Sequence, residues 1–131
     1  MLDVELIGIE HAGGRLARED AEQLCALALS TAGIDEGHVA IELVGPERIR
    51  ELNREHRGRD ACTDVLSFPV DEASPAAGPR ELGDVVICPE QTTDLREAVV
   101  HGALHLAGMD HEADDGEMLA LQRELLRWVR R

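Results

Sequence analysis

The stretch from His101 to His111, "HGALHLAGMDH", places three of the six histidines of this chain within eleven positions of an apolar segment. Its reading decides what the surrounding chain has to build. On a helix, His101 and His105 are neighbours one turn apart on one face, so two imidazoles approach a metal ion from the same side. Gly108 stands where a helix favours the left-handed conformation, which ends the helix and turns the chain back. That turn returns His111 to the same ion as a third ligand. Three histidines with coordination positions left for water are the arrangement of a catalytic zinc site rather than a closed structural one. Polar rings rarely crowd an apolar helix without partners, because burying them unpaired is costly.

Zinc proteases of the H-E-x-x-H-x-x-G-x-x-H type share this spacing, with the Glu after the first His as general base. Here that position is Gly102, so the ligand spacing is kept and the base is missing. Peptide hydrolysis is therefore the weaker reading. Asp94 and Glu97 lie on the same helical face, where they are candidates to orient a ligand imidazole or simply a solvated helix start.

Working outward, a long helix is expected to follow Pro89 and run through His105 to about Ala107. A final helix from about Asp114 to Val129 carries Met118, Leu121, Leu125 and Val129 at helical spacing. Upstream, residues 2–9 read as a first strand and 38–45 as a second. Between them, 18–32 puts Ala21, Leu24, Cys25, Ala28 and Leu29 on one stripe, with acids in the first turn and Gly33 beyond the end. Pro46 opens a short helix with Ile49 and Leu52 facing inward. "DVLSFPV", 64–70, and "LGDVVIC", 82–88, read as two further strands, joined by the flexible connection "DEASPAAGPREL". Strands and helices interleave around one sheet, so the class is α/β or α+β.

Composition narrows the field. At 131 residues the chain reads as one domain, 1–131. It has 13 Arg, no Lys and 27 acids, for a net charge of −14. So acidic a surface argues against a generic grip on nucleic acid phosphates but leaves room for a small local cationic site. Cys25, Cys62 and Cys88 are odd in number and far apart, which suits a reducing cytoplasm better than a disulfide framework. Cys25 and Cys88 read as small core residues. His11 and His38 read as lone histidines satisfied in the core by a hydrogen bond. "MLDVELIGIE" lacks the features of a signal peptide, and no apolar run approaches a membrane span, so a soluble cytoplasmic protein is expected.

A second unusual segment, "LNREHRGRDACTDVLSFP", 52–69, sets Arg54, Arg57 and Arg59 within six positions. The planar guanidinium matches phosphate oxygens in a two-pronged contact and never loses its charge. Arg54 reads as a surface partner of Glu51, Glu55 or Asp60. Arg57 and Arg59, beyond the helix and beside a glycine, are substrate-contact candidates. Thr63 and Asp64 are placed to brace a turn before the strand.

Together these segments resemble the YbeY family of bacterial metal-dependent endoribonucleases. Residues 101–111 match a motif resembling H-G-x-L-H-L-x-G-[aromatic or His]-D-H except at Met109. Residues 52–69 match one resembling L-N-x-x-[aromatic]-R-x-K-D-x-P-T-D-V-L-S-F-P, with His56, Arg59 and Cys62 as departures. "LGDVVIC" and "DHEAD" are also family-like, so the resemblance covers most of the chain after Ile41. It implies a compact α+β fold with a small mixed four-stranded sheet, a zincin-like metal-binding helix, and one zinc held by His101, His105 and His111. It also implies cleavage of single-stranded RNA, maturation of the 3′ end of 16S ribosomal RNA, and ribosome quality control. The small ribosomal subunit and its protein factors would be partners, and no membrane would be involved. The motif's arginine falls on Arg57, as the catalytic phosphate contact, with Arg59 as a substrate-binding companion. Attack by an activated water and attack by the ribose 2′-hydroxyl both remain open. With only Phe68 and Trp128 as aromatics, the isolated chain is expected to bind RNA weakly. Two rivals stand beside this reading: a ribosome-assembly factor with a structural zinc, and a peptidase-like hydrolase.

Overall fold

A computed structural model of the protein describes residues 2–70 and 80–128. The strands are β1 (Leu2–Ile7), β2 (Gly37–Leu43), β3 (Val65–Pro69) and β4 (Glu81–Ile87). The helices are α1 (Arg18–Ser30), α2 (Pro46–Arg57), α3 (Leu95–Leu106) and α4 (Glu117–Trp128). The sheet order is β1-β2-β4-β3, with β1, β2 and β4 parallel and β3 antiparallel to β4. The fold is therefore a small α+β domain with a mixed four-stranded sheet. Most of the connection expected between β3 and β4 lies outside the described residues, as does Val129.

Period-two alternation along the strands divides the sheet's side chains between two cores. Val39, Ile41, Leu43, Leu82, Val85 and Ile87 join the main core under α1, α3 and α4. The opposite face is covered by α2, whose Ile49 and Leu52 meet Leu66, Val86 and Cys88. The expected α1 stripe is the buried one, and Cys25 lies within it. Burial pushes the Cys25 thiol up to about 12 and also raises that of Cys88, so both are inert core residues.

Several boundaries differ from expectation, each for an identifiable physical reason. Strand β1 stops at Ile7 because Gly8 turns left-handed at φ +74°, where a Cβ would lie 2.5 Å from the Leu43 carbonyl oxygen. The following 3-10 helix, Ile9–Ala12, buries Ala12 and leaves His11 exposed rather than in the core. Helix α3 begins at Leu95, not just after Pro89. The Arg15 guanidinium takes the carbonyls of Pro89, Thr92 and Thr93, and Asp94 caps the new start by accepting the Glu97 N–H at 3.1 Å. Helix α4 begins three residues late because the Asp114 carboxylate accepts the N–H groups of Gly116 and Met118.

His38 is not a core residue either. Its side chain keeps 23% exposure and bridges three strands, with Nδ1 2.8 Å from Glu81 and Nε2 3.0 Å from Glu5. Both nitrogens face carboxylates, an arrangement that favours the charged ring, in which each nitrogen donates. The Glu81 hydrogen bond is the largest cause lifting its pKa above the ordinary histidine value, with Glu5 adding to it. The resulting stabilisation is fully present below about pH 6.5 and lost as pH rises through the elevated folded-state value. His38→Gln should therefore lower the urea midpoint more at about pH 5.5 than at about pH 8.5. An equal loss at both would show that the charged pair contributes nothing.

Helix α3 is the central element, packed on β3, β4, α1 and α4. Leu95, Ala98, Val99, Val100, Gly102, Ala103 and Leu104 are all buried. Gly102 makes the approach to the sheet possible: a Cβ there would meet Val85 Cγ1 at 2.3 Å and Ser67 Oγ at 3.3 Å. Ser67 Oγ also donates to the Gly102 carbonyl at 3.1 Å. Gly102→Ala is expected to lower stability by about 1–3 kcal/mol through overpacking, even after its better helix propensity returns up to ~1 kcal/mol. Urea unfolding measures this, and an unchanged midpoint would mean that Val85 yields freely.

Candidate metal centre

With so much of α3 buried, one stripe remains open to a cleft: the cap residue Asp94, then Glu97, His101 and His105. The helix ends as the glycine spacing predicts. Gly108, at φ +97°, gives its N–H to the His105 carbonyl at 3.0 Å, and Met109 gives its own to Leu104 at 3.1 Å. These two bonds and the buried Leu104–Met109 side of the turn form a Schellman cap. The chain then doubles back and returns His111 to the other two rings.

One ligand nitrogen from each of His101, His105 and His111 lies within 4.8 Å of the others. The ring centroids are 4.7, 5.0 and 5.3 Å apart. His105 Nδ1 is 2.9 Å from the Met109 carbonyl oxygen, which only accepts, so Nδ1 carries the proton. His101 Nδ1 lies 2.9 Å from Gln122 Oε1 in the same relation. Each ring therefore presents an Nε2 lone pair, and these two nitrogens face one another at 3.2 Å. Two ligand nitrogens about 2.0–2.1 Å from a tetrahedral zinc ion would stand roughly 3.3 Å apart. The His111 Nδ1 atom is buried with no hydrogen-bond partner among the described residues. Converging lone pairs and an orphaned ring nitrogen fit a bound cation. Burial first, then the neighbouring His101, holds the His105 pKa below the ordinary histidine range, which keeps its nitrogen available as a ligand.

Of the two roles open to Asp94 and Glu97, orienting a ring or starting the helix, Asp94 takes the second. It caps α3, and the rings are held by Gln122 and the Met109 carbonyl. The bond to His105 uses only the backbone carbonyl of residue 109, so a methionine there keeps it. Cys62 stands apart from the histidine group, exposed, with Sγ 3.5 Å from the Pro46 carbonyl oxygen.

Arg57 and Arg59 line the same cleft, which has a volume of about 940 Å³. Arg57 is the last residue of α2, and Gly58 caps it in the left-handed conformation at φ +69°. Buried Asn53 braces the loop beyond, accepting the Arg59 N–H on its carbonyl and donating Nδ2 to the Ala61 carbonyl at 2.9 Å. The nearby acids are taken by other arginines: Glu51 by Arg48, and Asp60 by Arg50 at 2.7 Å. Arg54 makes neither direct contact, but after Arg50 its charge adds to the pull that holds the Asp60 carboxyl below the usual carboxylate range. Among the described residues no ion pair engages Arg57 or Arg59, leaving both guanidiniums available to an anion. His56 fills the motif's aromatic position by packing on Phe68, with ring centroids 4.9 Å apart. Asp64 braces the turn by accepting the Val65 N–H at 2.9 Å.

Comparison with known proteins identifies the family of the chain as a whole. The family model described as "Endoribonuclease YbeY" matches residues 14–130. A Rubrobacter xylanophilus protein named "Endoribonuclease YbeY" is 43% identical, covering 97% of this chain and 96% of its own length. A Bacillus subtilis protein of the same name is 33% identical, with 92% of this chain and 93% of that one aligned. The solution structure of a Thermotoga maritima protein superposes with a TM-score of 0.56 at 28% identity, over 98% of this chain and 89% of that one.

Proposed function

Because the chain belongs to the YbeY endoribonuclease family, we propose that it cleaves single-stranded RNA in a zinc-dependent reaction, one ion per chain. We place that reaction in maturation of the 3′ end of 16S ribosomal RNA and in ribosome quality control. The observation that carries the reading is the convergence of three imidazole ligand atoms in a cleft also lined by two unpaired arginines. Bound by His101, His105 and His111, a zinc ion supplies Lewis acidity toward a phosphoryl oxygen and lowers the pKa of a water toward about 7. Arg57 holds the scissile phosphate in a two-pronged contact and offsets the charge that builds on its oxygens. Arg59 binds an adjacent phosphate and keeps the strand in register.

With a net charge of −14, the chain binds bare RNA weakly, and specificity comes from the small ribosomal subunit and its protein factors. Free, buried Cys25 and Cys88 suit a cytoplasmic setting. Among the described residues no helix is long and apolar enough to cross a membrane. A peptidase reading is opposed at Gly102, where a glutamate side chain would run into Val85.

The test uses a 5′-labelled single-stranded ribosomal RNA fragment and protein stripped of metal by chelation. Cleavage restored by zinc supports the reading. A 2′,3′-cyclic phosphate end would indicate attack by the ribose hydroxyl, and a 5′-phosphate with a 3′-hydroxyl attack by water. No cleavage with or without zinc, alongside intact binding to ribosomal particles, would favour the assembly factor.

A further inference from the structure

Helix α4 buries an apolar stripe through Met118 and Leu125, with a glutamine in its middle. Gln122 is only 6% exposed and, with Asn53, is one of two buried polar side chains among the described residues. A leucine at this position would extend the core. A buried amide without a partner would cost on the order of 1–3 kcal/mol, so its bond deserves a cause.

His105, at the end of α3, finds its acceptor in the carbonyl of the following turn. His101 sits one turn earlier, inside α3, where the helix carbonyls are already engaged by the helix itself. An acceptor for its Nδ1 proton must come from another element. The geometry points to Gln122 as a positioning residue of the histidine centre: its Oε1 holds the His101 ring in place, protonated at Nδ1, with the Nε2 lone pair directed at the ion. This rests on the metal reading above and adds a residue 21 positions away in the chain to it. It also ties the docking of α4 to the competence of the centre, since the amide is in place only when α4 is packed.

Two variants separate the roles of shape and hydrogen bonding. Gln122→Met keeps the volume and removes the acceptor, whereas Gln122→Glu keeps an acceptor oxygen. Zinc affinity, read by competition with a chromophoric chelator, is expected to fall roughly 10–100-fold in Gln122→Met and to match or exceed wild type in Gln122→Glu. Long-range nitrogen correlation spectra of the zinc-free wild type should show His101 protonated at Nδ1, a signature that a merely structural role would not require. Zinc binding by Gln122→Met within about threefold of wild type, or an Nε2-protonated His101 in wild type, would overturn the assignment. If Gln122→Met fails to fold, the wild-type tautomer and the Gln122→Glu affinity still decide it. A wild type that takes up no zinc overturns the metal centre itself, a failure distinct from a wild type and a Gln122→Met that bind equally.

Discussion

His105→Ala is expected to abolish zinc-restored RNA cleavage and to weaken zinc binding by more than ~100-fold, beyond the upper end for loss of an outer-sphere partner. His105 is the middle member of the group, its Nε2 3.2 Å from that of His101 and its ring in contact with His111. Two imidazoles cannot enclose an ion as three do, and the Met109 carbonyl that oriented the lost ring is left to solvent. The fold should survive, because alanine is the better helix former and the ring is only half-buried in the cleft wall. Far-ultraviolet circular dichroism of the zinc-free variant should match the zinc-free wild type. Equal cleavage by both proteins would sink the metal-dependent nuclease and point to a contaminant. A wild type that unfolds when the metal is removed would instead favour a structural ion.

Arg57→Ala is expected to reduce kcat/KM by roughly 10²–10³-fold, the scale of losing one preorganised group at developing charge. Its zinc affinity and unfolding midpoint should stay at wild-type values, because the guanidinium is exposed and outside the histidine group. That split distinguishes it from His105→Ala. Arg57→Lys keeps the charge but loses the planar fork, so it should recover only part of the rate. Arg59→Ala should act mainly on binding, lowering the salt-dependence slope by about 0.7 for one single-strand phosphate contact. Wild-type turnover by Arg57→Ala would remove Arg57 from the chemistry and leave the cleft's other donors to carry it.

The parts of this molecule that were legible in the sequence are those whose partners lie within a few residues. Each expected strand and helix has a counterpart, because alternation and helical stripes record which side of a segment is buried. The two late helix starts have related causes: a side chain, from elsewhere in the chain or from the helix entrance, competes for the backbone groups there. Arg15 delays α3 from some seventy positions away, and Asp114 delays α4 locally. His11 and His38 lie further out than expected, because nothing in their neighbours' identities says whether a short helix or a sheet face will turn them outward.

The candidate site divides along the same line. Helix pitch and the left-handed freedom of Gly108 are local properties, so the spacing of His101, His105 and His111 determined by itself that three rings would converge. The clustered arginines were likewise visible as types in a row. Tertiary packing alone decided that α2 and α3 would bring arginines and histidines to one cleft, and that Gly102 would be spent on contact with Val85. It also decided that an amide on α4 would reach His101. A hydrogen bond between residues 101 and 122 has no periodic signature, because its geometry depends on how two helices dock rather than on how either one winds.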